Sequence, residues 1–258
     1  MADVLYEVRN SVARITINRP DRRNAMSAGV LDGLNESLDT ASRDQSVRVV
    51  VIAGAGDRAF SAGADLGGMA PETSMINAHD ARGLIAAIFR KLWKLNKPSV
   101  ASVRGFALAG GFGLALACDF VVAASDAQFG TPEINVGLWP YMITVPLLRS
   151  MPPRYALELM ATGRRVQADE AQRIGFVNRV VAVDELDSTV NELATTLASK
   201  SPLIMRLGRQ SFYRVLGMDA DAALDYLQSM LTLTVSSDDT AEGLAAFADG
   251  RQPEWRGS

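Results

Sequence analysis

The stretch from Arg104 to Glu133 limits what this chain can fold into more than any other. A glycine-rich turn, Ala109-Gly110-Gly111, runs straight into small apolar residues as far as Cys118. A β-rich run, Phe120–Ala124, follows, and a lone carboxylate, Glu133, closes the stretch among apolar neighbours. The run Ser99–Val103 leads into it as a strand. Strand, turn, apolar helix and strand in that order belong to an α/β body.

The flanking sequence extends this pattern. Val4, Tyr6 and Val8, then Val12, Ile15 and Ile17, alternate with polar residues around Arg9-Asn10-Ser11 and predict a hairpin. Ser27 is placed to cap a helix carrying Val30, Leu31, Leu34, Leu38 and Ala41 on one face. Val47–Ala53 is a mostly β-branched run broken only by Arg48, the pattern of a strand covered on both faces. Gly67–His79 is polar, contains Pro71 and reads as a mobile loop before a helix from about Asp80 to Asn96. After Glu133, helices are expected over Met142–Ser150, from Pro152 to Thr162 and over Ala168–Ile174, and a strand over Phe176–Val181. No strand pattern appears after residue 183. Helices are expected there with apolar faces at Leu186, Val190, Leu193 and Leu197, then from Pro202, from Asp219 and from Thr240 to about Gly250.

Totals exclude some classes of function. With 26 basic and 29 acidic residues the net charge is −3, so no basic excess exists to neutralise nucleic-acid phosphates. One cysteine, Cys118, rules out an internal disulfide framework and fits a reducing compartment. The first residues have no signal-peptide pattern and no apolar run approaches the ~20 residues needed to span a bilayer. A cytoplasmic location is the expectation.

Two turns have the right chemistry to hold a negative charge. Gly63-Ala64-Asp65 and Gly110-Gly111 each follow a strand, and backbone N–H groups at such turns bind anions or a developing oxyanion. The same glycines also serve tight turns. Glu133, after Pro132, is either a surface residue at a helix start or a buried base whose pKa desolvation raises. Amides that hold an oxyanion and a single base are the parts needed to form and hold an enolate. Arg22 and Arg23 suit phosphate contacts or a solvated turn, Trp139 and Tyr141 a substrate pocket or the core, and Asp119 a structural carboxylate. His79 is the only histidine; no metal-ligand spacing surrounds it, and no Gly-x-Ser-x-Gly elbow or phosphate-loop Lys-Ser/Thr is present.

Together these segments resemble the enoyl-CoA hydratase/isomerase, or crotonase, family. The resemblance rests on Asn18-Arg19-Pro20 with Asn24-Ala25, Phe60-Ser61-Ala62-Gly63-Ala64-Asp65-Leu66, Lys97-Pro98 and Gly105 to Gly111. It continues through Ala117-Cys118-Asp119, Phe129 to Glu133, Gly137 and Glu242-Gly243-x-x-Ala246-Phe247. It implies an α/β fold, a crotonase-like spiral of ββα units over residues 1–200, with a helical trimerisation region over 201–258. It implies a trimer or hexamer acting on an acyl-CoA thioester, with coenzyme A as part of the substrate and no separate cofactor or metal. The Ala64 and Gly110 amides would form the oxyanion hole and Glu133 would be the base. Ala62, Asp65 and Leu66 would line the CoA path, Arg23 and Ala25 would lie near its phosphates, and Gly111, Pro132, Trp139 and Tyr141 would meet the substrate. The family's two-glutamate hydratases carry a first glutamate where this chain has Gly113, and the glycine-rich segment after the second is Leu138-Trp139-Pro140-Tyr141-Met142 here. The family's C-terminal lysine falls at Gly250, beside Arg251. A single carboxylate points to moving a double bond from position 3 to position 2. Hydration of a 2-enoyl thioester, including an aromatic or branched one, and an acyl-CoA-binding module without catalysis are the alternatives.

Overall fold

A computed structural model describes residues 2–65 and 74–258. The chain winds repeatedly between two sheets. β1 (Val4–Arg9) and β2 (Val12–Ile17) form the expected hairpin, followed by α1 (Ala28–Arg43). Three strand–strand–helix turns come next: β3 (Val49–Gly54), β4 (Ala59–Ser61) and α2 (Met75–Lys94); β5 (Ser99–Val103), β6 (Phe106–Leu108) and α3 (Gly110–Ala117); β7 (Phe120–Ala124), β8 (Gln128–Gly130) and α4 (Thr144–Ser150). The first strand of each turn joins a six-stranded sheet, β1-β2-β3-β5-β7-β10. The second joins a four-stranded sheet, β4-β6-β8-β9. This is the spiral of ββα units. α5 (Pro153–Thr162), β9 (Arg165–Gln167), α6 (Ala168–Ile174) and β10 (Arg179–Val181) complete the sheets. α7 (Leu186–Ala198), α8 (Pro202–Val215), α9 (Ala220–Val235) and α10 (Asp238–Asp249) follow.

The apolar runs explain the layering. Val50 and Ile52 of β3 join the core that also takes Val30 and Leu34 of α1 and Ile88 and Leu92 of α2. Val49 and Val51 join a second cluster with Leu186 and Val190 of α7. Successive residues of one strand therefore feed opposite faces, as a central parallel strand covered on both sides requires.

Several boundaries differ from the sequence reading. Residues 75–79 of the expected loop are helical, because the Ser74 hydroxyl caps α2 by accepting from the Asn77 amide (3.4 Å). Residues 67–73 of that loop lie outside the described residues. α10 starts before Thr240, with Ser237 as its cap. Pro146 sits in the first turn of α4, where its missing N–H leaves no gap in the helix ladder. The strands of the smaller sheet have only three residues each, too few to show alternation, and the pattern did not predict them.

The C-terminal helices are attached by polar chemistry more than by apolar burial. Buried Arg209 of α8 donates to Asp119 (2.8 Å) and to the carbonyls of Leu92, Trp93 and Leu95 at the end of α2. Asp119 also accepts from the Ser99 amide and the Tyr213 hydroxyl, at 2.7 and 2.6 Å. Asp119 is thus a structural carboxylate, and it raises the pKa of Tyr213, after burial, which is the larger cause.

Candidate active site

Two loops from neighbouring strands of the small sheet meet at the site. The first leaves β4 at Ser61. Buried Asn24 holds it: its amide group donates to the carbonyls of Ala55 and Ala59, at 2.9 and 2.6 Å, and its own carbonyl accepts from the Ser61 hydroxyl (2.8 Å). That hydroxyl in turn accepts from the Gly63 amide (3.2 Å). The Met26 amide donates to Gly63 and the Asp65 amide to Met26, at 2.8 and 3.2 Å. Arg19 clamps the outside by pairing with Asp65 (2.9 Å) and donating to the Ala25 carbonyl (2.8 Å).

The second loop leaves β6 at Leu108. Ala109 caps α3 at φ 51° and ψ −129°, a conformation that costs a residue with a Cβ on the order of 1–3 kcal/mol. Its amide donates to the Gly130 carbonyl (2.9 Å), which ties the turn to β8. The loops touch closely. A Cβ on Gly63 (φ +90°) would lie 2.5 Å from the Ala109 Cβ and 3.3 Å from the Gly110 nitrogen, and one on Gly111 would lie 2.4 Å from the Ser61 carbonyl oxygen. Glycine is required at both places for the two turns to approach. Among the described residues, neither the Ala64 nor the Gly110 amide donates to a protein acceptor. Both are left for an outside oxygen.

Glu133 arrives from β8, three residues beyond Gly130, on a 3₁₀ turn over Pro132–Val136. Buried Thr131 anchors that turn by donating to the Leu159 carbonyl (2.9 Å). The Glu133 carboxylate is half-buried and its Oε2 is buried without a hydrogen-bond partner. Desolvation raises its pKa, and a bond from its own amide offsets part of that. The Tyr6 hydroxyl and Arg104 Nε are likewise buried without a partner, and of the three only Glu133 is a carboxylate whose raised pKa suits it to proton transfer.

The surroundings of Gly113 are hydrocarbon. Gly113, one turn into α3, is fully enclosed: a Cβ there would lie 2.4 Å from Ile143 Cγ2 and 2.9 Å from Phe89 Cζ. The volume a side chain at 113 would use belongs to Phe89 and Ile143.

The other expected site residues are scattered around this centre. Arg23 is exposed in a left-handed turn, and its carbonyl accepts from the Ala62 amide (3.0 Å), so its backbone supports the first loop. The Asp65 carboxylate is engaged by Arg19. Gly111 and Pro132 sit in the two turns, and Trp139 is partly buried against the core. Tyr141 stands 73% exposed. Leu66 lies outside the described residues. Sequence reasoning missed Arg19 and Ser61 as clamps, although both stand in the quoted motifs, and it missed Phe89 and Ile143 as the neighbours of Gly113.

Among the described residues, two turn amides without a protein acceptor and a carboxylate oxygen without a hydrogen-bond partner, carried by loops that leave the strands β4, β6 and β8 of one sheet, are the groups that stabilising an enolate calls for. The sequence matches the family Enoyl-CoA hydratase/isomerase over residues 7–258. It is 36% identical to the short-chain-enoyl-CoA hydratase of Clostridium acetobutylicum, over 98% of this chain and 97% of that one. It is 37% identical to the carnitinyl-CoA dehydratase of Escherichia coli, over the whole of both chains. Among solved structures, an enoyl-CoA hydratase of Mycobacterium smegmatis superposes with a TM-score of 0.93 at 34% identity, covering 98% of each chain. One from Bacillus anthracis does so with a TM-score of 0.94 at 32% identity, over 99% of this chain and all of that one. The chain belongs to the enoyl-CoA hydratase/isomerase family and is an enzyme of it.

Proposed function

We propose that the enzyme binds a 3-enoyl-CoA thioester and moves its double bond to position 2. The Ala64 and Gly110 amides receive the thioester oxygen, and each contributes on the order of 3 kcal/mol as that oxygen becomes an enolate. Glu133 removes a proton from carbon 2 and returns it to carbon 4. One carboxylate is enough because the proton leaves and returns on the same base. Arg23, Ala25, Ala62 and Asp65 border the CoA path, and Gly111, Pro132, Trp139 and Tyr141 border the acyl end. Coenzyme A enters as part of the substrate and the residues need no further cofactor. The observation that supports this reading is the packing at Gly113: Phe89 and Ile143 occupy the space that a side chain at 113 would need, so position 113 supplies no second carboxylate.

A second reading, hydration or dehydration on the same enolate, is favoured by the names of the relatives, a hydratase and a dehydratase. Here Tyr141 or an ordered water replaces the missing acid–base group. Offering 2-enoyl- and 3-enoyl-CoAs of several chain lengths and identifying the products by mass and absorbance separates the two. A 2-enoyl product of unchanged mass from the 3-enoyl substrate supports isomerisation, and a product heavier by one water, from the 2-enoyl substrate alone, supports hydration.

The same reading takes residues 201–258 as a region of self-association, into a trimer or hexamer, in the cytoplasm. α9 buries none of its residues and exposes Leu224, Leu231 and Val235, an apolar face of the kind that marks association. No helix among the described residues is long and apolar enough to cross a membrane.

A further inference from the structure

A cleft of about 470 Å³ opens between α2, α4 and α8, lined by Arg90, Trp93, Lys94, Arg149, Gln210, Tyr213 and Arg214. Four of these side chains are cationic, none is acidic, and the chain as a whole carries −3. Among the described residues, Arg90, Lys94, Arg149 and Arg214 have no ion-pair partner. Asp119, which underlies Tyr213, does not serve them, since Arg209, Tyr213 and Ser99 already engage it. The cations are also partly fixed in place. The Arg149 guanidinium lies 4.7 Å from the Trp93 ring centre and 5.8 Å from that of Tyr213, and Arg214 lies 4.3 Å from that of Tyr226. Stacked guanidinium planes keep their edge N–H groups free for oxygen acceptors.

We propose that this cleft is a binding site for a small, multiply charged anion of the phosphate class. Uncompensated like charges drawn from three helices repel one another until a counter-anion enters. A monocarboxylate satisfies one fork, whereas a polyphosphate presents enough oxygens for all four cations. The size suits a small molecule. The site is separate from the enolate centre, although the Trp93 ring lies 6.3 Å from that of Phe89, a residue that packs on Gly113.

Titration of the full-length protein with inorganic pyrophosphate, read by tryptophan emission and by melting temperature, tests this. Both should respond saturably, whereas sodium chloride at matched ionic strength should produce neither response. Arg149→Gln should weaken the apparent affinity about tenfold and Arg149→Gln with Arg214→Gln should abolish it. Trp93→Phe should remove the emission change and keep the melting shift. Arg90→Gln, an exposed position, should weaken binding as well and serves if the stacked Arg149 proves necessary for folding. An equal response to chloride would overturn the proposal. So would a response that survives in the double variant, because it would place the anion elsewhere, including the CoA path.

Discussion

The surroundings of Glu133 and of Gly113 obey opposite rules. On the Glu133 side, a 3₁₀ turn held by Thr131 carries a carboxylate into a half-buried place and leaves Oε2 without a partner. At Gly113 the nearest neighbours are hydrocarbon, with Phe89 and Ile143 packed onto a residue that has no side chain. An unpaired buried polar atom is costly, whereas a filled apolar void is stabilising on its own. The difference teaches that Gly113 is more than an absent acid. It is half of a packing arrangement whose other half lies on α2 and at the N-cap of α4.

The largest expected effect comes from removing the carboxylate. Glu133→Gln should lower turnover by about 10²–10⁴-fold while acyl-CoA binding, measured by calorimetry, survives. Unchanged turnover would take Glu133 out of the mechanism. Next, Gly113→Ala should cost about 1–3 kcal/mol of stability in denaturant melts, because backbone-borne Cβ and packed side chains must separate. Gly113→Glu should cost more, and it should regain stability when Phe89→Ala and Ile143→Ala make room. If Gly113→Glu is tolerated alone, the packing there is softer than the contacts imply.

A smaller effect is one of pH. Burial raises the Glu133 pKa above its ordinary 4.5, so the acid limb of kcat/KM should have its midpoint above that value, with activity rising as the base form appears. The linked stability has the opposite sense. It is present below the unfolded-state pKa and is lost as pH rises through the folded one, and Glu133→Gln should flatten that part of the stability profile. The smallest effect expected is that of Tyr141→Phe. Tyr141 is exposed, and the substitution should leave isomerisation unchanged; if it abolishes a water-addition activity, the hydration reading gains.

Much of this was legible in the sequence. The hairpin over β1 and β2, the two-sided strand β3 and the helical tail each follow from apolar spacing long enough to count. Gly63, Gly110 and Glu133 stand out because glycine turns after strands and a carboxylate after proline are local signals. The three-residue strands of the small sheet are too short to carry a period, and they are what brings the Ala64 and Gly110 amides together. Phe89 read only as one apolar position on a helix. Its contact with Gly113 is tertiary, and nothing within a helical turn of either residue announces it. Ser74 and Ser237 moved two helix starts because single hydroxyl caps outweigh a weak apolar pattern.

The central claim is that Glu133 alone exchanges a proton at the carbon next to a thioester whose oxygen the two amides hold. Incubating a saturated acyl-CoA with the enzyme in D2O and measuring deuterium at carbon 2 by mass spectrometry tests this whichever product the enoyl substrates yield. Deuterium should enter with the wild-type enzyme and fail to enter above the buffer rate with Glu133→Gln. Equal incorporation by both proteins would contradict the account.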